Sequence, residues 1–220
     1  MLAGVFFIAA AAAAIVGLAL EGPVLNDARY IVAASGDDGR VILGAFFEII
    51  LAISVIGTAV TLFPIVKRQS EGIALGYVAG RIVEALVIVV GIISILSVVK
   101  LRQGFGGGTG ADAVSLLAVG KSLVVVHNWT FLFGPNLALG PNTLMLAYLM
   151  YRSRLVPRII AVLGLIGGPL IFVSGTAVLF GLYGQQSVWG SIAAIPVFAW
   201  EMSLAFWLIL KGFKASAITF

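Results

Sequence analysis

Cysteine is absent from this chain, and histidine occurs once, at His127. The first absence excludes disulfides and thiolate chemistry. The second excludes every zinc motif built on repeated histidines. Charge is scarce too: Asp, Glu, Lys and Arg together make up 10% of the residues, against roughly 25% in a soluble domain. A soluble fold of this size has too little interior to hide what fills the remainder, since 61% of the residues are hydrophobic and the mean hydropathy is +1.17. A bilayer removes the difficulty by acting as the solvent. The expected fold class is therefore an all-α polytopic membrane bundle, with residues 1–220 forming a single integral membrane domain.

A spanning helix needs about 20 apolar residues at a rise of about 1.5 Å each. Six segments meet that length: Leu2–Leu20, Val41–Val66, Ile73–Val99, Val114–Met150, Val156–Leu182 and Ile192–Leu210. Strands are excluded, because the runs are too long and lipid accepts only helices or closed barrels. Leu2–Leu20 reads as a span in its own right. It lacks the basic flank of a signal peptide and is longer than a signal's apolar core. The missing flank suggests a start lying upstream.

The fourth segment is anomalous. Its roughly 37 residues would make a helix of about 55 Å, well beyond a hydrocarbon core of about 30 Å. Basic residues arbitrate. Lys67 and Arg68, then Arg152, Arg154 and Arg158, then Lys211 and Lys214 occupy the most basic connections. A single crossing between Val114 and Met150 puts all three on one side, as the positive-inside rule requires. The expectation is six spans, a long kinked fourth helix and both termini in the cytoplasm. The net charge of +4 is then a matter of topology, and nucleic acid is not an expected partner.

The outer connections are Glu21–Arg40, Gly104–Asp112 and Tyr183–Gly190. The first, with Asp27, Asp37 and Asp38, has room for a short helix around Asn26–Ala34. The second contains a GxGxxA match at Gly106, Gly108 and Ala111, which is rejected as a nucleotide fingerprint because no strand precedes it. Tyr30, Tyr183 and Trp189 suit an outer aromatic belt, and Tyr77, Tyr148 and Tyr151 an inner one. The basic hairpins hint at two inverted three-helix halves, without a residue match to support them.

Polar groups at membrane depth are the main functional signal. Each charged one costs about 2.5–3.5 kcal/mol at a helix centre on insertion scales, so it faces the bundle interior or a wet cavity. Glu48 lies about 10 Å from the outer end of the second span. Arg81 and Glu84 lie on one face of the third, three residues apart. His127 and Asn128 fall in the fourth, and Glu201 in the sixth. Arg81 either neutralises Glu84 within its helix or reaches Glu48 or Glu201, leaving a carboxylate free for a proton or cation. His127 either packs between helices or shuttles protons beside a carboxylate. With one histidine and three of the glutamates, a metal site is arithmetically open but not expected. No cofactor is expected either.

The GPN tripeptides at Gly134, Pro135, Asn136 and at Gly140, Pro141, Asn142 should break the fourth helix, because each proline removes a donor and frees a carbonyl. Such breaks either form ligand sites or are satisfied by neighbours. Asn136 and Asn142 would cap the freed groups. The small-residue pairs Gly76/Gly80 and Gly164/Gly168 allow close helix approach, within the bundle or in a homodimer.

The segments EGPVLND, GTAVTLFPIVKRQSEGIALGYVAGRIVEA, HNWTFLFGPN, LMYRSRLVPR, LGLIGGPL and AWEMSLAFWLILKGF resemble a prokaryotic multi-pass membrane family known only as domain of unknown function four-three-eight-six. The resemblance runs from about Leu2 to Phe213, and the departure from it is the short, uncharged start. It implies a prokaryotic cytoplasmic-membrane protein and brings no activity or catalytic residue. Three functions stay open: a small transporter or ligand-binding membrane protein with an intramembrane polar site, a structural, sensory or accessory subunit, and an intramembrane lipid-modifying enzyme. The enzyme is the weakest of these, for want of a nucleophile constellation, metal cluster or phosphate loop. The expected partners are the bilayer and an unidentified small ligand or ion.

Overall fold

A computed structural model describes residues 1–27, 29–33, 36–105 and 111–214. Helix α1 (Leu2–Leu20) is followed by the short α2 (Gly22–Asn26), α3 (Asp38–Val66) and α4 (Glu71–Phe105). Then come α5 (Ala111–Leu132), a π-helical turn over Phe133–Ala138, α6 (Leu139–Ser153), α7 (Arg158–Leu179) and α8 (Val188–Leu210). Six spans are long and apolar enough to cross a membrane, with α5, the π turn and α6 together forming the fourth. The long fourth segment is thus one helical rod, as the distribution of basic residues required.

The spans pack in chain order into a ring. α1 lies on α3, α3 on α4, α4 on both α5 and α6, α6 on α7, α7 on α8, and α8 closes back on α1. The main core lies toward the end that carries Lys67 and Arg154, the basic end. It is built from Phe7, Leu62, Tyr77, Leu146, Met150, Trp200 and Leu204 among others. At the opposite end Val24, Tyr30 and Ile31 pack on Val41, Ile95 and Val98. Exposed apolar side chains along every span, such as Phe46, Ile53, Leu86, Ile93 and Phe206, form the surface a bilayer would cover.

Local chemistry sets the ends. Asp37 caps α3 by accepting a hydrogen bond from the Arg40 N–H at 3.2 Å, and Ser187 caps α8 by accepting one from Gly190 at 3.3 Å, the usual service of such side chains to unpaired N–H groups. α6 stops at Arg154, whose φ of 57° is left-handed, and Pro157 precedes α7.

Among its described residues the first connection is two pieces, α2 and a single 3₁₀ turn at Tyr30–Val32, in place of the one helix expected around Asn26–Ala34; residues 28 and 34 lie outside the described residues. Tyr30 donates to Asp38, Arg102 pairs with the same carboxylate, and Gln103 donates to it at 3.2 Å. These bonds fasten the connection to the end of α4. Burial and the Asp38 charge together push the Tyr30 hydroxyl well above its ordinary range. Gly106 and Gly108 lie outside the described residues, while Ala111 opens α5.

Two expectations are corrected. Tyr77 is fully buried, its hydroxyl 3.3 Å from Thr58 Oγ1, and Tyr30 is buried in the cluster at the other end, so both belong to the packed interior and not to an aromatic belt. The GPN tripeptides do not act alike. The first lies within the π turn, where the wider ring absorbs the bond that Pro135 cannot make to Phe131. The second lies near the start of α6 and leaves the helix uninterrupted.

Candidate functional site

The polar residues of the spans gather into two clusters. The first is toward the basic end. Arg81 on α4 donates from Nη1 to Glu84 at 3.2 Å and from Nη2 to Glu201 of α8 at 3.1 Å. Both arrangements anticipated for Arg81 therefore coexist. Asn142 on α6 donates to Glu84 Oε2 at 3.0 Å, so its amide serves a neighbouring helix and does not cap its own freed carbonyls. The guanidinium also sits 5.8 Å from the Phe7 ring centroid and 5.6 Å from that of Tyr77, where the ring faces favour a cation. A Cβ on Gly80 would overlap the Asn142 amide oxygen, so that glycine makes room for the network. This cluster contains its own permanent cation and joins α4, α6 and α8.

The second cluster lies toward the other end. His127 Nε2 on α5 is 3.3 Å from Glu21 Oε2 and 3.6 Å from Glu48 Oε1 on α3. Donor atoms of all three residues lie within 4.8 Å of one another, and all three residues are buried. The structure thus pairs Glu48 with His127 and leaves Glu201 with Arg81; the three do not converge. Glu21, read in the sequence only as the start of a connection, is the unanticipated member. It is the residue on which α1 ends and α2 begins, and its side chain is fully enclosed.

Glycine makes this meeting sterically feasible. A Cβ on Gly44 would stand 2.7 Å from Glu21 Cγ and 3.1 Å from the Gly17 carbonyl oxygen. One on Gly17 would stand 3.2 Å from Glu48 Cγ. The crossing of α1 and α3 thus seats each carboxylate stem on the other helix's glycine, by close approach through small residues. On α4, a Cβ at Gly91 would meet Thr130 Oγ1 at 2.5 Å and His127 Cδ2 at 3.4 Å. Ser94 Oγ donates to the Leu123 carbonyl at 2.9 Å and holds α5 on α4 one turn away.

Charge is not settled within this group. Among the described residues the ion pairs of Glu21 and Glu48 both go to His127. Both Glu21 carboxylate oxygens and His127 Nδ1 are enclosed without a hydrogen-bond partner. An enclosed carboxylate without partners is costly. Burial accordingly pushes the Glu21 carboxyl above the usual carboxylate range, against the pull of the imidazole.

Two cavities meet at His127. One of about 210 Å³ is bounded by α1, α3, α4 and α5 and is mostly apolar, with Ile15, Leu51, Ile88, Phe131 and Pro135 beside Glu48 and His127. The other, about 340 Å³, runs from His127 toward the α7–α8 connection between Asn26, Asn128, Gln185 and Gln186. Asn128 thus belongs to a mouth lined by carboxamides that leads to the imidazole. Of the GPN residues, only Pro135 lines this space. Gly140 instead faces α7, where a Cβ would meet the Gly168 carbonyl oxygen at 2.8 Å, and Gly164 faces Ala147 and Trp200. Gly164 and Gly168 therefore serve packing within the bundle.

No curated protein and no solved structure matches the chain. One family model does, over residues 2–212, and by it the chain belongs to the family described as Domain of unknown function (DUF4386).

Proposed function

From a member of a family with no assigned activity, whose six apolar helices fit a multi-pass membrane protein, we propose a ligand-binding membrane protein of the transporter or receptor kind that takes a cation at Glu21, Glu48 and His127. One observation carries this reading. Among the described residues, two carboxylates and an imidazole from three helical elements are enclosed together with no permanent cation on them, where a polar mouth and a largely apolar pocket meet. The Arg81 cluster already holds a permanent cation between its two carboxylates and serves to join helices. With the basic end in the cytoplasm of a prokaryotic cell, both termini are cytoplasmic and the mouth faces outward.

The test is a melting-temperature screen of the purified protein in detergent against inorganic cations, small organic ammonium ions, anions and lipids. A ligand of the native state at about 100 times its Kd adds about 2.7 kcal/mol. At least one cation should raise the melting temperature of the wild type and fail to do so with Glu48→Gln. Stabilisation by anions alone, or by cations acting equally on Glu48→Gln, overturns the reading.

A further inference from the structure

We propose that Glu21, Glu48 and His127 form a binding site for a divalent first-row transition-metal ion, zinc being the ion that the donors and spacings suit best. This rests on the cation-site reading above and narrows it to one chemical class.

Zinc–nitrogen and zinc–oxygen bonds of about 2.0–2.2 Å in a tetrahedron put neighbouring donors about 3.3–3.5 Å apart. The imidazole-to-carboxylate distances are 3.3 Å and 3.6 Å. Two edges of the donor triangle therefore already have close to the length that ligands around one zinc ion require. Donor atoms of the three residues all lie within 4.8 Å of one another, so the carboxylate-to-carboxylate edge is at most about 1.3–1.5 Å too long for a tetrahedral ion. The donor set points the same way. Imidazole with carboxylates suits zinc, iron or manganese, whereas calcium and magnesium prefer oxygen alone. A neutral imidazole with two carboxylates carries two negative charges, which a divalent ion cancels. The enclosed, unpartnered oxygens of Glu21 are then the atoms that gain a bond.

Three protein donors leave one tetrahedral position open, as in zinc sites that bind water or substrate and unlike closed structural sites. The carboxamide mouth supplies the entry path such a site requires. His127 Nδ1 has no protein partner, so the ring is not clamped by the second hydrogen bond that usually fixes a metal-bound histidine. The ion is accordingly exchangeable.

The test uses the full chain in detergent, stripped with a chelator. Zinc is titrated in competition with a chromophoric indicator, and cobalt is added separately for its visible absorption. One zinc per chain should bind, and cobalt should give the intense bands of a four-coordinate site. His127→Ala and Glu48→Gln should each weaken zinc by at least the roughly 10–100-fold that loss of a supporting residue costs, and abolish those bands. Glu21→Gln, which keeps shape and volume, is the companion variant should either of these fail to fold; it should weaken zinc likewise, while Glu71→Gln at the far end of α4 should not. The proposal is overturned if the wild type binds no stoichiometric zinc, or if binding and bands survive in the folded ligand variants. Should zinc fail while an organic ammonium ion still stabilises the wild type and not Glu48→Gln, the metal assignment falls and the cation site stands. Failure of both removes both.

Discussion

Replacing Arg81 with methionine removes the only cation of the basic-end cluster while filling most of its volume. Two carboxylates are left behind. The Glu84 side chain is 5% exposed and that of Glu201 17%, so neither is rescued by water without rearrangement. Breaking a buried ion pair from one side costs about 3–5 kcal/mol, because the remaining charge is uncompensated. With two acidic partners the upper half of that range is expected, and the ring contacts with Phe7 and Tyr77 are lost as well. The reasoning makes a second demand. Once Glu84→Gln and Glu201→Gln are added to Arg81→Met, no orphan charge remains, and Asn142 still finds an acceptor at position 84. An apolar or neutral replacement of a whole buried ionic group is often neutral or stabilising, so the triple variant should regain most of what the single one lost. Reversible unfolding in mixed micelles measures each difference. A loss below about 1 kcal/mol for Arg81→Met, or a triple variant as unstable as the single, would refute the view that this cluster holds α4, α6 and α8 together through its charge.

Gly44→Ala places a methyl 2.7 Å from Glu21 Cγ; it should cost about 1–3 kcal/mol by overpacking and weaken the cation-induced rise in melting temperature by parting Glu21 from Glu48. Asn142→Leu leaves the buried Glu84 Oε2 without its amide donor and should cost about 1–3 kcal/mol, read by the same unfolding assay, with cation binding at the other cluster unchanged. Because the chain has no cysteine, single substitutions are clean reporters of sidedness. Gln69→Cys and Arg154→Cys should react with an impermeant maleimide only from the cytoplasmic face of oriented vesicles, and Gln186→Cys only from the opposite face; labelling of positions 69 and 154 from different faces would break the single-crossing reading of the fourth span.

The six spans were legible because length and apolarity act locally: a run of about 20 residues is its own evidence. The fourth span needed one further rule, the side on which Arg152, Arg154 and Arg158 sit. The functional cluster was only half legible. Glu48 and His127 stood out as polar groups at depth, but their meeting depends on Gly17 and Gly44 passing each other, and no local pattern reports which helices cross. Glu21 was overlooked because it follows the last apolar residue of α1, where a solvated connection normally begins. A signal was present, since a carboxylate at a helix C-terminus opposes the dipole and so invites the question of what it serves. Arg81 shows the converse limit. Spacing alone identified Glu84 as a partner, whereas Glu201, 120 residues away, required the ring to close.

The two polar clusters divide the helices between them. Glu21, Glu48 and His127 tie α1, α3 and α5, while Arg81, Glu84, Asn142 and Glu201 tie α4, α6 and α8. Only the fourth span belongs to both sets, and between its two halves lies the π turn at Phe133–Ala138. A π turn carries about one residue more than the α-helix needs, and losing or gaining it rotates one half against the other by about 100°. Among the described residues, the joint between the two fastened groups is therefore the one place within a span where the backbone has a spare residue, and any sliding of one group past the other has to pass through it or through the loops.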